Sequence, residues 1–248
     1  MNNKLIVTLL FAIAITQLAF KPKAPTAKKN FVQINESVFL CKYEVSQLDY
    51  KAFLNSIKND AKLYQLYYPD TTQWTKIFPQ AFTAPWEEKY FWHPGFNNFP
   101  VVNITKEAAE AYCQWLNKTC KNKDEVHYRL PTEDEWLAGV QLTDISADQL
   151  IRKDGKYAAN LKFKDEMNNK VDYKYALDGA MITASVNSYQ HKPTKLCNLV
   201  GNVGEIVSCG KVVGGSWHNT YDESKPDEYL NYQLPDPRVG FRVVMEKK

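Results

Sequence analysis

Residues 197–244 read CNLVGNVGEIVSCGKVVGGSWHNTYDESKPDEYLNYQLPDPRVGFRVV. Two glycine-punctuated stretches, NLVGNVGE at 198–205 and GGSW at 214–217, bracket a β-rich segment of hairpin character. The run VGFRVV at 239–244 reads as a closing strand. Asn and Gly gather where a backbone must turn sharply or expose its carbonyls, and Glu205 sits among them. Hard cations take Asn, carboxylate and main-chain oxygens of this kind. The same letters also describe a plain turn between strands, and the residues alone leave both readings open.

At the other end, MNNKLIVTLLFAIAITQLAFKPK combines a lysine, an apolar run and a basic Lys-Pro-Lys patch. This is the pattern of a secretory signal or a short signal-anchor. The run is short beside the roughly 20 residues a stable span needs. We therefore expect an exported chain with residues 1–24 as signal or anchor, 25–30 as a short linker, and one domain over 31–248. Retention of the first segment would tie the protein to a membrane. Residues 1–24 hold Lys4, Lys21 and Lys23 and no acids, so the net charge of +3 belongs to them. The remaining chain is neutral, which argues against nucleic acid as a partner. The 15 Tyr, 12 Phe and 6 Trp of the full chain favour a loop-rich interior in which rings fill irregular space.

Five cysteines, Cys41, Cys113, Cys120, Cys197 and Cys209, include no CxxC pair. Export permits disulfides, and Cys197 and Cys209, flanking the glycine-rich stretch, could bridge. FVQINESVFLCKYEV (31–45) alternates as one or two strands. Ser46 then caps a helix with Leu48, Ala52 and Leu54 near helical spacing. Residues 61–100 are rich in aromatics and proline, which reads as an ordered insertion because disordered segments are poor in rings. A second helix starts at Thr105 with Ala109, Tyr112, Cys113 and Leu116 on one face. In RLPTEDEW (129–136), Thr132 and Glu135 form a capping box and Trp136 begins the buried face. Residues 143–195 read as polar loops.

Catalytic patterns are missing. His93, His127, His191 and His218 stand in aromatic, strand-like or turn contexts, without HExxH, a Gly-x-Ser-x-Gly elbow or a phosphate-cradling loop. Cation binding by oxygen is the one chemistry the residues support directly.

KYEVSQLDYKAFL (42–54), FPVVNITKEAAEAYCQWLN (99–117), RLPTEDEW, and NLVGNVGE with GGSW and GFR together resemble the formylglycine-generating-enzyme, or sulfatase-modifying-factor, family over Phe31 to Val244. The resemblance implies an α+β, irregular, loop-rich sulfatase-modifying-factor fold, distantly C-type-lectin-like. It also implies two structural calcium ions. One would take side-chain oxygens of Asn198 and Glu205 and main-chain oxygens of Gly201 and Val203. The other would take Asn160 and Asp178 through side chains and Leu161 and Ala180 through carbonyls.

The family's oxygen-dependent enzymes carry a copper-binding cysteine pair in GGS-x-x-C-x4-C. Here GGSWHNTYDES places Asn219 and Ser224 at those positions, and Val213 precedes GGS. Copper(I) selects thiolates, so neither copper nor formylglycine synthesis is expected. KYFWHPGFNNFPVVNIT (89–105) resembles gliding-motility and type IX secretion members that reuse the fold without its chemistry. It offers Trp92 and Phe96 as partner-binding anchors. The expected role is an interaction or assembly component among envelope proteins of a secretion or motility system. Two alternatives stand beside it: an enzyme with another active site in a pocket around Ser216, Trp217, His218 and Asn219, and a lectin-like binder with Trp217 at the pocket mouth.

Overall fold

The computed structural model describes residues 28–77, 84–121, 124–146, 150–151, 157–165, 172–174, 176–230, 232 and 235–248. The expected signal or anchor lies outside them. Among the described residues, no helix is long and apolar enough to cross a membrane.

β1 (Phe31–Gln33) and β2 (Val38–Cys41) form an antiparallel hairpin, with Phe31 opposite Cys41. Its turn is closed by Asn35, whose Oδ1 accepts from the Val38 amide at 2.8 Å, an Asx turn that only a short amide or carboxylate side chain makes well. α1 (Gln47–Ile57) begins at Ser46, whose hydroxyl accepts from the Asp49 amide at 3.2 Å. The buried face is Tyr50, Phe53 and Leu54; Leu48 and Ala52 are only half-buried. Aromatic side chains reach further than the aliphatic spacing suggested, and Tyr50 stacks on Tyr112 with centroids 6.0 Å apart.

The described residues of the aromatic insertion form short helices: α2 (Ala61–Tyr67), α3 (Trp74–Ile77) and α4 (Ala84–Lys89). α5 (Lys106–Thr119) is capped by Thr105 and buries Ala109, Tyr112, Cys113 and Leu116, the face expected of it. β3 (Val126–Arg129) leads into α6 (Glu133–Gln141), which has the full capping box. Residues 143–195 are not all loop, because β4 (Phe163–Asp165) and β5 (Asp172–Lys174) pair as a small antiparallel hairpin.

β6 (Gly204–Ile206) and β7 (Val212–Val213) are the hairpin between the glycine motifs. VGFRVV is not one strand. It divides into β8 (Val239–Gly240), parallel to β6, and β9 (Val244–Lys247), which lies between β2 and β3. The chain passes from the three-stranded sheet β7-β6-β8 to the antiparallel sheet β1-β2-β9-β3 across Phe241, Arg242 and Val243. All three are fully buried. The main core lies between the larger sheet and α1 and α5, while a second cluster centres on Trp136 with Leu40, Val213 and Val244. Each cysteine is a free thiol, so Cys197 and Cys209 do not bridge: Cys197 is buried and Cys209 is exposed.

Candidate functional site

Within six residues, the 197–202 loop makes three left-handed backbone turns: Asn198 at φ 54°, Gly201 at 78° and Asn202 at 62°. Asn and Gly are the residues that take this conformation at least cost. Gly201 is required a second time over, since a methyl group there would collide with the Asn160 carbonyl. The loop thus lies directly against residue 160, and the Asn202 amide donates to the Asn160 carbonyl at 2.8 Å.

This contact joins the two expected ligand sets into one buried polar centre. Asn202 is the link: its Oδ1 accepts from Asn160 Nδ2 at 3.0 Å, and its Nδ2 donates to Glu44 Oε1 at 2.7 Å. Asn198 Nδ2 donates to the other Glu44 oxygen at 2.8 Å. Glu44 is buried, and burial pushes its carboxyl up to about 8, with Arg242 pulling the other way. Neither Glu44 nor Asn202 stood out in the sequence. The one signal was an acid set alone between the buried strand β2 and the cap of α1.

Glu205 is held by a different hand. Arg242 Nε donates to Glu205 Oε2 at 2.6 Å, Arg242 Nη2 bonds Oε1, and the Trp136 indole donates to Oε2 at 3.0 Å. Arg242 also reaches the carbonyls of Cys41 at 3.1 Å and Cys197 at 2.9 Å. Burial pushes the Glu205 carboxyl up and the guanidinium opposes it. Because arginine keeps its proton, the pair is ionic. RLPTEDEW is therefore more than a helix start, since its tryptophan holds the buried carboxylate.

Asp178 accepts the amides of Leu161 at 2.8 Å and Ala180 at 2.9 Å. Burial nevertheless raises its carboxyl to about 6.

The donor chemistry fits an oxygen-ligated cation, on one observation. Asn160 Oδ1 and Asn198 Oδ1 are buried without any hydrogen-bond partner. An unpartnered buried acceptor costs about 1–3 kcal/mol. These are the side-chain oxygens of the two asparagines expected as ligands, one per site. At Glu205 the room is narrower. A carboxylate oxygen offers two lone-pair directions; those of Oε2 are taken by Arg242 and Trp136, which leaves one on Oε1.

At the family's thiol positions, the residues present serve a tight turn. Asn219 Oδ1 accepts from Ser216 Oγ at 2.6 Å, and its carbonyl accepts from the Lys162 amide at 2.8 Å. Ser224 is buried, and its hydroxyl donates to the Thr220 carbonyl at 2.7 Å. It packs so closely on Gly215 that any side chain on that glycine would strike it. Of the residues expected around a pocket, two are closed to solvent. Ser216 and Trp217 are fully buried, and Trp217 stacks on Trp74 at 6.2 Å, so it stands at no pocket mouth. His218 is half-buried, and burial lowers its imidazole to about 4.

The aromatic segment divides in two. Tyr90 and Phe91 are buried, and Phe96 packs half-buried on Tyr90 with centroids 5.1 Å apart. Trp92 is 58% exposed. It lines a cleft of about 330 Å³ that includes Lys51 of α1 and Lys58, the C-cap of that helix.

A helix-backed antiparallel sheet, a second small sheet and a polar centre of Asn–Gly loops define a loop-rich α+β domain. The model of the sulfatase-modifying factor enzyme 1-like domain matches residues 17–247, and the chain belongs to that family. It is 26% identical over 216 residues to the formylglycine-generating enzyme of Mus musculus, covering 77% of this chain and 54% of the mouse protein. The chain thus spans about half the length of that curated relative. In fold it resembles the crystal structure of CarF, with a TM-score of 0.52 at 17% identity over 84% of this chain and 86% of CarF. PvdO from Pseudomonas aeruginosa superposes less closely, with a TM-score of 0.48 at 18% identity over 84% and 80% of the two chains.

Proposed function

We propose that this chain is a non-catalytic, calcium-stabilised member of its family, exported and acting as an interaction or assembly component at the cell envelope, of the gliding or secretion kind. One observation carries the non-catalytic part. The two positions where the family's thiols would stand are Asn219 and Ser224, and both side chains are engaged in holding the 216–224 turn. The alternative active site has less support: Ser216 Oγ donates to Asn219, and its contact with His218 is with the main-chain amide at 3.2 Å.

Calcium would supply cross-links, not chemistry. Asn198 Oδ1 with Glu44 or the free direction of Glu205 would serve one ion, and Asn160 Oδ1 with Asp178 the other. Main-chain oxygens of Gly201, Val203, Leu161 and Ala180 would complete them. The apolar opening segment supports export, and exposed Trp92 supports a partner surface.

The test is purification of the tagged full chain from its envelope fraction, with mass spectrometry of what accompanies it, beside an aerobic assay on a cysteine peptide with copper. The expected result is a reproducible, near-stoichiometric envelope set and no formylglycine. Formylglycine formation, or a chain that is always recovered alone, overturns the reading.

A further inference from the structure

The face formed by α1, α2 and the Phe91–Trp92 corner gathers four exposed large apolar side chains, Leu63, Leu66, Tyr68 and Trp92. α2 has no fully buried residue, and Leu63 and Leu66 on it are 38% and 62% exposed. Tyr68, at its end, is 39% exposed and meets Phe91 edge-on at 5.2 Å. Beside it runs the cleft, with Tyr64, Tyr68, Phe91 and Trp92 as its aromatic walls. The charge in it is of one sign. Lys51 and Lys58 line it, and no carboxylate does. Lys51 donates to Asn97 Oδ1 at 2.9 Å and lies 5.4 Å from the centre of the Phe91 ring, and among the described residues neither lysine is in an ion pair.

We propose that this cleft binds an acidic peptide segment of a partner protein, seating one large apolar side chain against Tyr64, Tyr68 and Trp92 and an adjacent carboxylate on Lys51 and Lys58. The proposal rests on the interaction reading above and gives its partner a chemistry. Three features select this occupant. Two cations without counter-charges in an aromatic cleft complement carboxylates beside rings or aliphatic chains. The volume is at the low end for small-ligand pockets and the cleft is open to solvent, which leaves room for a chain to extend beyond it. The surface is concave, which suits a projecting side chain better than a flat bilayer. Exposed tryptophan at the rim of such a cleft is the residue that most often anchors an interface.

The experiment uses the full chain and a fluorescein-labelled nonapeptide of alternating Asp and Phe, read by fluorescence anisotropy. The peptide should bind saturably. Replacing its Asp with Asn should weaken binding at least about tenfold, the equivalent of about 1.4 kcal/mol. Trp92→Ala and Lys58→Glu, both at exposed side chains, should do the same while melting as the wild type does. Changes under about twofold for both variants overturn the cleft. So does binding to phosphatidylglycerol vesicles, lost on Trp92→Ala, with no peptide binding. The two readings fail separately. If both variants still co-purify the wild-type envelope set, the cleft is wrong and the interaction reading stands. If the wild type forms formylglycine, that reading falls whatever the anisotropy shows.

Discussion

Replacing Arg242 with Met tests the buried pair that joins the two sheets. The side chain is 0% exposed, and its partner Glu205 is 1% exposed. Removing the guanidinium leaves Glu205 with the Trp136 indole as its remaining donor, and frees the carbonyls of Cys41, Lys42 and Cys197. Stranding one partner of a buried pair costs about 3–5 kcal/mol. At about 2–4 °C per kcal/mol for a domain of this size, the melting temperature should fall by about 6–20 °C. That cost belongs to the stranded charge and not to the pair, so Glu205→Gln in the same chain should recover most of it. Gln keeps an oxygen for Trp136, and a neutral pair of similar volume is often no worse than the ionic one. Urea unfolding of the wild type, Arg242→Met and the double variant measures all three. A loss under about 1 kcal/mol for Arg242→Met, or a double variant no better than the single, would refute the reasoning.

Calcium chelation of the purified protein should lower its melting temperature, and excess calcium should restore it; saturation at a hundred times Kd is worth about 2.7 kcal/mol. Asn198→Ala, which removes one of the two proposed sites, should halve the calorimetric calcium stoichiometry and shrink the melting-temperature shift on chelation. Native protein should release one equivalent of thiol to a disulfide reagent, from exposed Cys209, and five after unfolding. Burial slows the rest and lifts Cys41 to about 11. The folded His218 imidazole takes a proton only near pH 4, against an ordinary 6.5. The unfolded chain therefore binds the extra proton between those values, and stability present above pH 6.5 is lost as pH falls toward about 4. His218→Gln should flatten that limb of the melting-temperature profile.

What could be read from the sequence was local. Ser46, Thr105 and Thr132 each start a helix by accepting an amide a few residues on, and that chemistry is written in four or five letters. The Asn–Gly loop was legible for the same reason, since left-handed backbone narrows the choice of residue. What stayed hidden is long-range. Glu44 meets Asn198 and Asn202 across more than 150 positions of chain. VGFRVV has one strand pattern but belongs to two sheets, because pairing partners and not β-propensity decide where a strand ends. The burial of Trp217 was equally out of reach. Trp217 reads as an exposed aromatic after a glycine pair until Trp74, far away in the insertion, is laid over it.

The same separation bears on how the fold tolerates a change of side chain at 219 and 224. The polar centre draws on Glu44, Asn160, Asn198, Asn202 and Glu205, none of which lies in the GGS turn. The turn is tied to it by main-chain bonds: Gly214 accepts the Gly201 amide through its carbonyl, and Trp217 donates its amide to the Asn202 carbonyl. Main-chain bonds of this kind do not depend on which side chain stands at 219 or 224. Exchanging a thiol for Asn or Ser there leaves the sheets, the caps and the buried charge pair as they were. Ser224 packs against Gly215 and donates to the Thr220 carbonyl, so its side chain holds the turn from within the turn itself.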